Sequence, residues 1–300
     1  SFSSALQQAL ELHPVSSPLY VKHASGLNDD LNGTELPVRF KLSHTDEEFA
    51  IVHSLAKWKR LRVKELNLPV HQGIITNMIA IRPGEVLSDI HSCLVDQWDW
   101  EMVIDMEDRN LAFLTDTVSK IYGAIYETAA AVNLSTSGAP MMLPEKIHFI
   151  HSEELLEKYP NLDPKSREME AAKEFGAVFI IGIGGLLVNG EPHDGRAPDY
   201  DDWSSPTEGL YRGLNGDILL WDSYHSRALE VSSMGIRVDP TSLLHQLQVS
   251  KAEHRKEYGF HQQLLSGTLP LTIGGGIGQS RLCMFLLQKP NIGMVQYCYS

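Results

Sequence analysis

Residues 271–287 read LTIGGGIGQSRLCMFLL: four glycines within five positions, then an arginine leading into an apolar run. Two common phosphate-binding loops are excluded at once. No Gly-Lys-Ser/Thr follows the glycines, as a P-loop requires. From Gly274 the dinucleotide spacing gives Gly276 but puts Gln279 where a third glycine belongs. Two readings of these residues stay open. A glycine-rich strand can pack tightly against another backbone. Alternatively, glycines leave a strand bare for a flat ring, and Arg281, at the start of the next helix, reaches the phosphates of the same ligand. The second reading suits ATP, and it demands partners elsewhere: another arginine for the α-phosphate, and carboxylates for Mg2+, which prefers hard oxygen ligands and substrate phosphates.

Candidates for both occur in the chain. Residues 79–101, IAIRPGEVLSDIHSCLVDQWDWE, place Arg82 at the end of one strand, followed by a loop and a second strand. Residues 214–237, LNGDILLWDSYHSRALEVSSMGIR, carry Asp217 and Glu230 on what reads as a neighbouring strand pair. Further strand-like runs are FAIVHSL (49–55), KIHFIHS (146–152) and GAVFIIGIGG (176–185), the last apolar as a strand covered on both faces would be. Several lie too close together for helical crossovers, so antiparallel pairing is expected.

Residues 3–12 read as a helix with Leu6, Leu10 and Leu12 as apolar positions, followed by the extended HPVSSPLYV (13–21). Residues 109–132 put Leu111, Leu114, Val118, Ile121, Ile125 and Ala129 at helical spacing, and 241–267 read as a second long helix ending at Gly267. The expected class is α+β, a mainly antiparallel sheet flanked by helices. With no internal repeat, low-complexity tract or linker, the 300 residues are expected to form a single domain.

Composition narrows the function. A chain that is 43% hydrophobic and 21% charged is that of a soluble globular protein. The longest apolar run, 176–188, is too short and glycine-rich to span a bilayer, so no membrane partner is expected. A net charge of −13, from 38 acidic against 25 basic residues, disfavours a broad nucleic-acid surface. Cys93, Cys283 and Cys298 are far apart and never in C-x-x-C spacing, which fits a reducing, cytoplasmic setting. The first residues carry no signal-peptide pattern. Thirteen histidines show no zinc-binding spacing, and His53 and His91 read as hydrogen-bonded scaffold.

Segments 79–101, 214–237 and 271–287 resemble motif 2, the metal-binding strands and motif 3 of class II aminoacyl-tRNA synthetases, especially the aspartyl type. The wording VHSLAKWKR, VDQWDWE, RAPDYDDW, LNGDIL, SSMGIR and GGGIGQSRL is more similar still to the ammonia-dependent asparagine synthetases, the aspartate–ammonia ligases. The resemblance runs over almost the whole chain, with motif 1 near residues 14–21 at Pro18. It implies a class II catalytic-core-like fold over residues 1–300 and a homodimer formed through motif 1. It also implies use of ATP with Mg2+, and synthesis of L-asparagine from L-aspartate and ammonia through a β-aspartyl adenylate, releasing AMP and pyrophosphate.

Carried over by position, Arg82 is the α-phosphate arginine and Arg281 the motif 3 arginine, with Gly278 beside it. Asp217 and Glu230 are the Mg2+ carboxylates, and Ser92 and Val95 line the adenosine site. Lys59 and Arg237 are the cations for the aspartate α-carboxylate. Asp29, Gln97, Asp99 and Asp201 face its ammonium, with Ser233 a further polar contact. Asp29 or Asp201 takes the proton of the incoming nucleophile, and Arg82, Asp29, Gln97 and Arg281 form the catalytic set. No cysteine is N-terminal, so ammonia rather than glutamine is the expected nitrogen donor.

Plainer roles stand beside these. Asn28 and Asp29 also suit a turn, and DYDDW a solvated acidic loop. Trp98 and Trp100 alternate with Gln97 and Asp99, so they are expected to pack the opposite face of a strand. A strand would put Lys57 and Lys59 on one face. Two other functions fit parts of the pattern: an aspartyl-tRNA synthetase core, which the acidic charge disfavours, and a non-catalytic amino-acid or adenylate sensor. A sensor has no need of Arg82, Asp217, Glu230 and Arg281 together.

Overall fold

A computed structural model describes residues 1–28, 36–135 and 141–296; Asp29 and Cys298 lie outside these residues. The chain runs α1 (Phe2–Leu10), β1 (Leu12–Pro14), β2 (Tyr20–Lys22), β3 (Arg39–Lys41), β4 (Glu48–Ile51), α2 (Ala56–Glu65), β5 (Gly73–Ile81), β6 (Leu94–Ile104) and α3 (Leu111–Ser135). It continues through β7 (His148–His151), α4 (Ser152–Lys158), α5 (Pro164–Phe175), β8 (Ala177–Ile181), β9 (Asn215–Asp222) and β10 (Arg227–Ile236). The last elements are α6 (Pro240–Val249), α7 (Gly259–Leu265), β11 (Leu271–Gly278) and α8 (Gln279–Leu286).

One sheet organises the molecule, in the order β1-β5-β6-β11-β10-β9-β8-β7. Its six central strands pair antiparallel, while β1 joins β5 and β7 joins β8 in parallel at the two edges. A small second sheet, β2-β4-β3, stacks Phe40 on Phe49, with Tyr20 edge-on to both.

Alternation along the central strands sorts side chains onto two faces. Trp100 and Met102 of β6, Leu229, Val231 and Met234 of β10, and Ile273 and Ile277 of β11 point to one face. There they meet Leu6 and Leu10 of α1 and the Leu114, Val118, Ile121 and Ile125 stripe of α3 in the main core. The intervening residues of the same strands face the opposite way and build the site. Trp98 packs its ring 4.8 Å from Phe2, also away from the site.

Local chemistry sets the element ends. The first helix stops at Leu10 because Glu11 turns left-handed, at φ 51°, and sends Leu12 into a strand. The long helix expected over 241–267 is interrupted. Asp239 caps α6, with Pro240 in its first turn, and the helix gives out at Ser250 before Lys251 at φ 54°. Tyr258 is extended before α7 begins, and Gly267, at φ 70°, follows the end of α7. The break lets Arg255 fold inward, where it is 8% exposed, instead of continuing on an outer helix face.

Candidate active site

The residues around AKWKR form α2, not a strand. Residues two positions apart on a helix point about 200° apart, so Lys57 and Lys59 leave α2 in different directions. Lys57 reaches Asp199, and Lys59 reaches Asp99 of β6 and the carbonyl of Gly275, at 2.9 Å. Arg60 spends its charge on the carbonyls of Pro270 and Val238, at 2.9 and 2.7 Å, and burial brings its pKa down to about 10. Three cations buried on one short helix are tolerable because each meets a carboxylate or carbonyl.

Above the sheet, on the face away from α1 and α3, lies a cleft of about 520 Å³. Arg82, Ser92, Val95, Gln97, Lys59, Asp99, Asp201, Ser233, Arg237, Glu230, Gly278 and Arg281 all line it. Of the remaining sequence candidates, Asp217 lies just beneath, accepting from Ser233 Oγ at 2.7 Å, and Asp29 falls outside the described residues.

At one end, Arg237 arrives already clasped. Glu101 accepts from its Nε, at 3.1 Å, and from its Nη2, at 2.8 Å, while Asp201 takes Nη1. Burial alone pushes the Glu101 carboxyl up, but Arg237 outweighs it and holds the group below the carboxylate range. Thr272 donates to the same carboxylate at 2.7 Å. Lys59 and Asp99 sit beside this cluster; burial drives the lysine down and the aspartate up, each toward neutrality.

The glycines have a different purpose from the one expected. Gly274, Gly276 and Gly278 alternate onto the cleft face, but the space over two of them is already filled. A Cβ on Gly274 would fall on the Glu101 carboxylate and 2.6 Å from Arg237 Nη2, and one on Gly276 would fall on the Gln97 amide. Gly275 faces the core, with Met234 Cβ 2.5 Å from where its own would be. The bare strand therefore makes room for side chains from β6 and β10, and of the three cleft-facing glycines only Gly278 would meet no close contact, an added Cβ lying 3.4 Å from Arg281 Cβ.

At the other end, Arg281 spans the cleft wall, donating to the carbonyls of Glu230, at 3.1 Å, and Ile90, at 3.4 Å. Asp96 caps the start of α8 through Ser280, at 2.5 Å to its hydroxyl, and so fixes where Arg281 begins. Arg82 closes the β5–β6 hairpin through its amide to Cys93, at 2.8 Å, and donates through Nη2 to the His53 carbonyl at 3.3 Å. Both histidines belong to this scaffold: Asn28 accepts from the His53 amide at 2.8 Å, and Ser88 Oγ lies 2.8 Å from His91 Nδ1.

Asp217 and Glu230 are brought together by a β-bulge. The pairing of β10 with β9 slips between Glu230 and Ser232, so Glu230 and Ser233, three residues apart, share a face that strict alternation would deny them. Ser233 Oγ lies 3.3 Å from Glu230 and 2.7 Å from Asp217. Burial, then the Asp217 charge, lifts the Glu230 carboxyl above the usual range. The two carboxylates share one wall of the cleft, Asp217 paired with Arg196 and Glu230 beside Arg281 and Arg196. That donor set suits Mg2+, which binds through one or two carboxylates plus phosphate oxygens.

One side chain of the cleft went unmarked in the sequence. Arg196, 8% exposed, reaches into this end of the cleft and donates to Asp217 at 2.5 Å and to Ser233 at 3.0 Å. It sits in HDGRAPDYDDW, in the irregular segment between β8 and β9, and no spacing rule marks it. The acidic run beside it is not a solvated loop, since Asp199, Asp201 and Asp202 are all buried.

The sheet, its flanking helices and this cleft define the class of fold: solved class II aminoacyl-tRNA synthetases share it. An asparaginyl-tRNA synthetase from Pyrococcus horikoshii, complexed with asparaginyl-adenylate, superposes with a TM-score of 0.67 at 15% identity, over 97% of this chain and 65% of its own. An aspartyl-tRNA synthetase from Entamoeba histolytica superposes with a TM-score of 0.63 at 13% identity, over 98% of this chain and 56% of its own. This chain thus spans less than two thirds of either synthetase. The aspartate-ammonia ligase family model matches residues 1–299, and the chain belongs to that family. Similar relatives are the aspartate–ammonia ligases of Parabacteroides distasonis and Clostridium perfringens, each 53% identical over 296 residues, covering 98% of this chain and 86% and 85% of theirs.

Proposed function

We propose that this chain makes L-asparagine from L-aspartate and ammonia, with ATP as the activating substrate. The observation that carries the reading is the convergence of Arg82, Arg281 and the Asp217–Glu230 pair in the same cleft as Lys59, Gln97 and Arg237. A carboxylate is a poor electrophile. Attack of the aspartate β-carboxylate oxygen on the α-phosphorus, with pyrophosphate leaving, turns that oxygen into a leaving group. Ammonia then attacks the acyl carbon, the bond to AMP breaks, and asparagine forms.

The cost of the first step is charge developing at the α-phosphate, where a fixed cation helps most. Arg82 serves there. Arg281 and Arg196 face the outer phosphates, and Ser92 and the Val95 backbone line the adenosine end. Asp217 and Glu230 hold Mg2+, which when bound shields the triphosphate charge. Lys59, Arg237 and Gln97 receive the amino acid, with Asp99, Asp201 and Ser233 as its other polar contacts. Burial pushes the Asp201 carboxyl up from its ordinary range despite Arg237 and Arg196. That makes Asp201 a suitable acceptor for the proton carried by ammonium; Asp29 is the other candidate. The working form is a homodimer in the cytoplasm, with no nucleic-acid or membrane partner. Among the described residues no helix is long and apolar enough to cross a membrane.

The decisive experiment incubates the protein with aspartate, ATP and ammonium, without tRNA. AMP and asparagine are expected in equal amounts, glutamine should not replace ammonium, and tRNA should not be charged. Stable aspartyl-tRNA, or ATP use without asparagine, would sink the reading. For the metal, Glu230→Gln is expected to shift the Mg2+ titration of both activity and calorimetric ATP binding to higher concentration. An unchanged titration would put the metal on other groups.

A further inference from the structure

Asp199 lies two residues before Asp201 on the segment that delivers Arg196, Tyr200 and Asp201 to the cleft, and its side chain is fully buried. Three groups from three elements converge on its Oδ2. Lys57 of α2 donates at 3.2 Å, Arg255 from the turn before α7 donates at 3.0 Å, and His261 Nε2 of α7 lies 2.9 Å away. Lys57 is 3% exposed and His261 0%. Burial favours the neutral acid, yet Lys57, His261 and Arg255 outweigh it and hold the Asp199 carboxyl well below the usual range.

A buried ion pair of this kind adds little stability over apolar side chains of similar size. What it does fix is geometry between segments that share no strand pairing. The Asp199 segment is held to β10 through its backbone, with Val238 N to the Tyr200 carbonyl at 2.9 Å and Asp202 N to the Ile236 carbonyl at 2.9 Å. Its side-chain ties run the other way, to α2 through Lys57 and to α7 and the turn before it through His261 and Arg255. Lys57 and Asp199 each stand two residues before a group of the amino-acid end of the cleft, Lys59 and Asp201 respectively. The ion pair beneath thus sets the separation of the cation and the carboxylate above.

We propose that Lys57 and Asp199 are positioning residues for the amino-acid end of the cleft, their buried ion pair fixing Asp201 relative to Lys59. The inference rests on the assignment of Lys59 and Asp201 to aspartate made under Proposed function.

Two full-length variants test it. Lys57→Met removes one of three partners and leaves Asp199 paired with Arg255 and His261. Asp199→Glu keeps every charge and lengthens the brace by one methylene. Displacements of about 1 Å can cost up to about a hundredfold. Each variant is therefore expected to raise KM for aspartate, and to weaken aspartate binding measured by calorimetry without ATP, by about tenfold or more. KM for ATP should stay at its wild-type value. A lowered melting temperature with unchanged aspartate affinity would make the knot a plain stabiliser and overturn the proposal, as would an equal rise in both KM values. Should Lys57→Met not fold, the charge-balanced Asp199→Glu decides by the same criteria. Lys59→Ala, run in parallel, separates the two levels: if it leaves aspartate affinity untouched, the substrate assignment itself fails, whatever the Lys57 and Asp199 variants do.

Discussion

Replacing Arg82 by alanine is expected to lower kcat by about two to three orders of magnitude, the usual cost of losing one donor aimed at developing transition-state charge. The fold should tolerate the change. Among the described residues the Arg82 side chain makes a single hydrogen bond, of 3.3 Å to a backbone carbonyl, and the hairpin it ends is held by the ladder between β5 and β6. Aspartate affinity should fall far less than kcat, because the charge Arg82 meets appears only as the α-phosphorus is attacked. Pre-steady-state measurement of pyrophosphate release distinguishes the cases. Wild-type release from Arg82→Ala would remove the residue from the adenylation step.

The second large effect is expected from adding one methyl group. Gly274→Ala places a Cβ where the Glu101 carboxylate lies, and 2.6 Å from Arg237 Nη2. Neither partner has room to retreat, since Glu101 is 0% and Arg237 3% exposed. Breaking a buried pair of this kind costs about 3–5 kcal/mol. Gly274→Ala is therefore expected both to lower the unfolding midpoint sharply and to abolish saturable aspartate binding. Gly123→Ala is the matched control. It lies in α3 with nothing within 4 Å of the added atom, and is expected to gain about 0.4–1 kcal/mol. If Gly274→Ala unfolds no more readily than the parent, the Glu101–Arg237 clasp is not what the glycine protects.

Much of the architecture was legible because it is written in local patterns. Strand–arginine–loop–strand at 79–101, carboxylates on a strand pair at 214–237 and glycines before an arginine at 271–287 each combine residue type with element type, and the sheet brings all three to one cleft. The 109–132 stripe gave α3 its buried face for the same reason. What stayed hidden depends on distance through space. AKWKR carries no apolar period, because its inward positions are cations neutralised by residues far along the chain, so a helix there leaves no amphipathic trace. Arg196 is supplied by an irregular segment, and Asp199 looked like part of a solvated acidic loop until α2 and α7 were packed on it. The glycines were read as space for a ring because a glycine shows only that something approaches closely. That the approaching groups are Gln97, Glu101 and Arg237 follows from the β6–β11 and β10–β11 registers.

The irregular step in β10 has a consequence for how this chain tolerates change. Upstream of Val231, even-numbered residues face the cleft; downstream, odd-numbered ones do. The extra residue thus acts as a parity switch. Flattening the bulge while keeping every residue would impose strict alternation from Glu230 onward and turn Ser233 and Arg237 toward the core, with Met234 and Ile236 toward the substrates. At this point the faces of the side chains depend on the irregular pairing of the strand as much as on the identity of any one residue. A redesigned variant that preserves every named side chain yet pairs β10 with β9 without the bulge would carry the right residues on the wrong side of the sheet.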